Sequence, residues 1–157
     1  MYKIDNEKCI KIFKKKSSCS DELHSLLISQ SYSCFPKLYS YGDKYIVREY
    51  VHGTPLDEFL LHNPLTDDIC RKIMELYLKM KYVGFKRLDS ALFHIFITDY
   101  GELKIIDTAK AMKKKYTCPR IILSSLSDLN YKDEFLDFVK KEYPDTYEMW
   151  TKDNKGR

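Results

Sequence analysis

The segment 86–111, KRLDSALFHIFITDYGELKIIDTAKA, restricts the possible folds of this chain more than any other stretch. It reads as a polar loop, a short apolar strand (Ile95-Phe96-Ile97), a turn centred on Gly101 and a second apolar strand (Leu103, Ile105, Ile106) that ends in an aspartate. Two apolar runs separated by a glycine-containing turn predict an antiparallel hairpin. Asp89 opens the loop, His94 follows five positions later (94 − 89), and Asp107 thirteen after that (107 − 94). A hairpin with this spacing brings Asp89 and Asp107 into one cleft.

The 157 residues suffice for one domain with a sizeable core, and 44% apolar with 14% aromatic content is that of a globular chain. Thirteen tyrosines suit half-buried strands and cleft walls. No run approaches the roughly 18 apolar residues of a membrane span, and the start, MYKIDNEK, is too polar for a secretory signal. The expectation is a cytoplasmic protein without a membrane partner, with a flexible tail over residues 151–157. The five cysteines are odd in number and form no C-x-x-C pair, which argues against a disulfide framework or zinc knuckle and for reduced, buried thiols. The net charge of +4 gathers in residues 14–16 and 113–115. No aromatics interleave with these lysines and the pI near 8.6 is modest, so nucleic acid is not an expected partner. A solvated surface, or phosphates on a small ligand, accounts for the charge. Nothing in the sequence sets an oligomeric state.

Residues 8–13 read as a strand and 18–30 as a helix, with Ser18 or Ser20 as N-cap and Leu23, Leu26 and Leu27 on one face. Residues 38–41 and 45–51 form a hairpin about Gly42-Asp43. Thr54 then serves as N-cap and Pro55 as first residue of a short helix reaching residue 62. A helix over residues 67–82 carries Ile69, Ile73, Leu76, Tyr77 and Met80 at helical spacing, with Gly84 beyond its end, and lies beneath the Asp89 loop. Helices at 121–126 and 132–142 and a last turn about 147–150, anchored by Trp150, complete the chain. The class is α+β: a small antiparallel sheet with one helix (residues 1–50), a connector (51–54) and a helical half carrying a β-hairpin (55–150).

With loop, hairpin and connector in place, the chain resembles the protein-kinase-like superfamily in reduced, two-lobed form, and is most similar to small bacterial minimal serine/threonine kinases. The resemblance covers roughly residues 7–111, and its strongest single match is YIVREYVHGTPLDEFL, residues 45–60. It implies ATP as ligand, with the carbonyl of Glu49 and the N–H of Val51 against the base. Lys11, the lone charge in Cys9-Ile10-Lys11-Ile12-Phe13, is similar to the phosphate-binding lysine, and Glu22 to the helix glutamate that orients it. A snorkelling edge-strand lysine and a first-turn acid that complements the helix dipole are the plainer readings of those two residues. Asp89 resembles the catalytic-loop aspartate that accepts or orients the substrate hydroxyl; as a plainer alternative it is a turn or capping residue. Asp107, in Ile106-Asp107-Thr108-Ala109, resembles the metal-binding aspartate, for which Mg²⁺ is the natural cation. His94 stands where the second metal ligand, usually asparagine, is found. An imidazole there suits Mn²⁺ or Zn²⁺ better than Mg²⁺, or holds the loop by hydrogen bonding, or simply packs.

The sequence also departs from that pattern. Arg87-Leu88-Asp89 replaces His-Arg-Asp, and Ala91 stands where a lysine is usual, so Lys86 or Arg87 would have to neutralise the moving phosphoryl group. No glycine-rich loop precedes Lys11, and the turn 5–7 is expected to bring acids near the phosphates instead. No A-P-E segment follows Asp107, so a protein substrate would be recognised in another way. Two functions follow: a divergent minimal kinase transferring the ATP γ-phosphoryl group to a hydroxyl on a protein or small molecule, or a catalytically inactive pseudokinase-like binding module.

Overall fold

The computed structural model describes residues 1–155. Its first half is a four-stranded antiparallel sheet, order β1-β2-β4-β3, built from β1 (Tyr2–Lys3), β2 (Lys8–Ile12), β3 (Leu38–Tyr41) and β4 (Tyr45–Glu49). The period of two sends Cys9 and Phe13 of one strand region, and Ile46 and Arg48 of β4, to the buried face. Helix α1 (Lys16–Ser29) packs there, and Phe13, Cys19, Leu26 and Ile46 form a small apolar core. The helix begins two residues earlier than the serine-cap signal predicts: Lys15 holds the N-cap position without a side-chain cap, and Ser18 and Ser20 lie inside. Docking overrides capping here, because Cys19 is buried with Sγ 3.6 and 3.7 Å from the carbonyls of Gly42 and Tyr45 in the β3–β4 turn.

Thr54–Pro55 is a strand, β5, rather than the start of a helix; it pairs with Ile97 and Phe96 of β6 (Ile95–Ile97), which pairs in turn with β7 (Leu103–Ile105). Proline is tolerated because β5 is an edge. The expected hairpin is thus the greater part of a three-stranded sheet, β5-β6-β7. Gly53 makes this junction possible: its φ is +146°, and a Cβ there would lie 2.3 Å from the Ile97 carbonyl oxygen.

Helix α2 (Leu56–His62) follows with Pro55 as its N-cap residue, then α3 (Asp67–Tyr82), whose cap Thr66 accepts from the Ile69 N–H at 3.3 Å. Helices α4 (Arg120–Asp128), α5 (Lys132–Glu142) and α6 (Pro144–Lys155) pack around α3 in the larger core. The predicted flexible tail is helical over residues 151–155, and residues 156–157 lie outside the described ones. Trp150 explains the longer helix: it is 1% exposed, packed against Phe135 and edge-on to Tyr77. Asp153, one turn on, accepts from the Thr117 hydroxyl. All five cysteines are free and buried, and burial pushes the Cys34 and Cys70 thiols up to about 11 and about 12. Among the described residues no helix is long and apolar enough to cross a membrane.

Candidate functional site

Four charged side chains meet where the small sheet, α1 and β7 converge. Lys11 donates from Nζ to Glu22 Oε2 at 2.6 Å and lies 3.7 Å from Asp107 Oδ2. Glu22 is 1% exposed, and its other oxygen, Oε1, faces the Nε of Arg48 across 4.0 Å. Neither of those two atoms has a hydrogen-bond partner among the described residues, while Arg48 Nη2 donates to Met1 Sδ at 3.5 Å. Burial pushes the Glu22 carboxyl above its ordinary value, and the cations of Lys11 and Arg48 offset part of that.

Asp107 sits two residues beyond β7, with Oδ1 accepting from the Ala109 N–H at 3.1 Å and Oδ2 lying 3.9 Å from His94 Nε2. Desolvation acts to raise its carboxyl, but Lys11, the Ala109 N–H and His94 outweigh it and hold the group below its ordinary value. The next residue, Thr108, is buried and shares a 2.7 Å hydrogen bond with Ser25 of α1, three positions beyond Glu22. This contact ties the helix carrying Glu22 to the strand end carrying Asp107. Burial lowers the His94 pKa, Asp107 raises it, and Lys11 and Lys110 lower it further; the net shift is downward. His94 is therefore expected to titrate below a free imidazole by NMR, and Asp107→Asn to lower the midpoint again, because it removes the carboxylate that favours the imidazolium. An upward shift in that variant would mean that the Asp107 carboxylate does not stabilise the charged imidazole.

Asp89 lies 9% exposed and is largely engaged. Its Oδ1 accepts from the Ser90 N–H at 2.9 Å and the Ile122 N–H at 3.1 Å, and Oδ2 from the Ile121 N–H at 2.8 Å. Asp89 thus caps the N-terminus of α4, where the N-cap residue, Pro119, supplies no side-chain acceptor. A carboxylate offers about four lone-pair sites, so Oδ2 retains one. Burial raises the Asp89 carboxyl above its ordinary value, and the three N–H groups and Arg87 only partly counteract it. Asp89, Arg87, His94, Asp107, Thr108 and Lys110 all line one cavity of about 270 Å³.

The end of β4 and the connector take other partners. Glu49 accepts from Lys104 Nζ of β7 at 2.6 Å and from the Lys37 N–H at 3.1 Å, while its carbonyl lies 3.6 Å from Cys9 Sγ. Val51 is buried beside it. Both residues line a second cavity of about 400 Å³ with His52, Lys79 and Lys104. The turn 5–7 does not bring acids over Lys11. The register that pairs Lys8 with Glu49 puts this turn against the connector, where Tyr50 N–H donates to the Glu7 carbonyl at 2.7 Å.

The structure therefore gathers Lys11, Glu22, Asp107 and His94, places Asp89 in the same cavity as the last two, and sets Glu49 at the end of β4 with Val51 on the connector beyond it. Arg48, Ser25 and Thr108 are the site residues that sequence reasoning missed. The parity of Arg48 with Ile46 in β4 was the available signal, since it sends an arginine to the inner face. Among the described residues no three or more His, Cys, Asp or Glu side chains surround a common point. Mg²⁺ is usually held by one or two carboxylates with phosphates completing the shell, and Asp107, ionised and accessible, fits that demand.

No family model matches the chain, and no curated protein matches it in sequence. Its fold is similar to a solved structure, the medium-resolution structure of the bifunctional kinase-methyltransferase WbdD, with a TM-score of 0.53 and 16% identity. The match covers 79% of this chain and 32% of that one, so the chain corresponds to about a third of that protein's length. The fold is α+β and kinase-like in reduced form.

Proposed function

We propose that the cleft binds ATP with a divalent cation and transfers its γ-phosphoryl group to a hydroxyl, as a divergent minimal kinase. One observation carries the reading: the Lys11 ammonium is held between a buried glutamate at 2.6 Å and an accessible aspartate at 3.7 Å. A fold needs no such arrangement for stability, since a buried ion pair roughly breaks even against apolar packing. A phosphate site does need a lysine whose charge is fixed in direction yet only partly neutralised. In this reading Glu22 positions Lys11, Lys11 takes α- and β-phosphate oxygens, and Asp107 holds Mg²⁺ or Mn²⁺, which would supply charge neutralisation of the phosphates. Glu49 at the end of β4 and Val51 on the connector would receive the base. The acceptor hydroxyl loses its proton to the remaining lone pair of Asp89 Oδ2 as its oxygen bonds to the γ-phosphorus and ADP leaves. The motif over residues 45–60 supports a likeness to minimal serine/threonine kinases, with a protein or small-molecule acceptor.

The second reading, a nucleotide-binding module without catalysis, is favoured by the three backbone N–H groups already on Asp89. Calorimetric titration with ATP, with and without Mg²⁺ or Mn²⁺, tests the shared part. Metal-dependent binding is expected for the wild type and its loss for Lys11→Met and Asp107→Asn; binding unaffected by either substitution would refute the site. Phosphoryl transfer by the wild type separates the readings, and Asp89→Asn should abolish it if Asp89 is catalytic; because that variant also removes an acceptor from the α4 N–H groups, its ATP affinity is measured alongside and should stay near that of the wild type.

A further inference from the structure

The cavity containing Asp89, His94 and Asp107 has a cationic wall separate from Lys11. Arg87 and Lys110 both line it. The N–H groups of Lys86 and Arg87 both donate to the Ala111 carbonyl at 2.9 Å, and Arg87 bridges in parallel to Tyr116, so residues 110–116 run along the Asp89 loop. Residues 108–127 contain five lysines and arginines (Lys110, Lys113, Lys114, Lys115, Arg120) and no acid. Among the described residues only Lys113 of this group pairs with a carboxylate, that of Asp21 at 2.9 Å.

Exposed lysines alone would be an ordinary solvated surface. Arg87 differs because it is half-buried in the cavity wall and its guanidinium lies 5.5 Å from the Tyr116 ring centroid, which orients the fork without neutralising it. Among the described residues no carboxylate lies within 4.0 Å of Arg87, and the nearest acid in sequence, Asp89, gives three of its about four lone pairs to backbone N–H groups. An oriented guanidinium with a neighbouring ammonium matches a phosphate, which accepts paired N–H donors and carries the charge both cations lack. The volume of about 270 Å³ admits a small molecule and not a folded segment.

We propose that the phosphoryl acceptor is a small hydroxyl compound that itself bears a phosphomonoester, its phosphate held by Arg87 and Lys110 and its hydroxyl directed to Asp89. This rests on the phosphotransferase reading above. Sugar phosphates and nucleoside monophosphates share the required chemistry, and the exposed lysines 113–115, three to five positions beyond Lys110, add a salt-sensitive attraction for either.

The test is calorimetric titration with matched pairs, glycerol and glycerol 3-phosphate, ribose and ribose 5-phosphate, uridine and UMP, with and without saturating ADP and Mg²⁺. At least one phosphorylated member should bind while its neutral partner does not, and which pair responds identifies the source. Its affinity should fall about tenfold or more in Arg87→Gln/Lys110→Gln, the loss expected for charge-assisted hydrogen bonds, and survive Lys11→Met. The proposal is overturned if no phosphorylated compound binds, if the double variant binds as the wild type does, or if Lys114→Gln/Lys115→Gln loses as much, which would mark a diffuse polyanion face. ADP binding without any phosphorylated acceptor sinks this proposal alone. Glycerol 3-phosphate binding without ADP binding sinks the donor reading and leaves the anion site standing.

Discussion

Glu22→Leu should cost about 3–5 kcal/mol of folding stability, the range for leaving a buried charge without its partner. Arg48 is 2% exposed, and Glu22 supplies the only carboxylate within 4.0 Å of it among the described residues. Removing that carboxylate leaves two cations, Lys11 and Arg48, near one another with Asp107 alone to balance them. Arg48→Leu should be costly for the mirror reason, although Lys11 still satisfies one oxygen of Glu22 at 2.6 Å. The double variant Glu22→Leu/Arg48→Leu should recover much of the loss, because apolar side chains of similar size replace an ion pair whose desolvation was only partly repaid. Urea denaturation of the four proteins measures the coupling directly. Simple additivity would show that Arg48 and Glu22 do not act as a pair. Nucleotide binding by the double variant then reads a different property: Lys11 keeps its place on β2 but loses the group that aims it.

The same residues show what a linear sequence reveals. Helices α3 and α5 fall where periodicity puts them, because each combines an apolar stripe with acids in its first turn and lysines in its last. The hairpin is legible from two apolar runs about Gly101. By contrast, Thr54-Pro55 carries a strong local helix-start signal that loses to an edge pairing with β6, more than forty positions further along the chain. Helix α1 ignores its serines for a similar reason, the burial of Cys19. In the site, Lys11, Glu22 and Asp107 stand out as charges inside apolar patterns. Arg48 is masked by the neighbouring acid in Arg-Glu, although the two face opposite ways in β4. The cap that Asp89 forms is invisible locally, since its partners, Ile121 and Ile122, lie more than thirty positions on.

Trp150→Ala should cost about 3–5 kcal/mol, as expected for emptying a fully buried aromatic site. The consequence reaches beyond α6. The indole N–H donates to the Tyr77 hydroxyl at 3.2 Å, and that hydroxyl donates to the Thr117 carbonyl at 2.7 Å, so one chain of bonds links α6, the central helix α3 and the segment leading into α4. Burial pushes the Tyr77 pKa up, which keeps its hydroxyl a donor at neutral pH. Thr117 also holds Asp153, and four residues past Thr117 begin the N–H groups on Asp89. Loss of Trp150 should therefore raise amide exchange first in α6 and next at residues 117–122, loosening the cap while the small sheet stays protected. Trp150→Phe keeps most of the ring's packing and should lose about 1 kcal/mol, the worth of a typical hydrogen bond. Exchange that rises uniformly across both lobes in Trp150→Ala would mean that α6 belongs to a single cooperative unit with the sheet, and the two apolar cores would then melt together.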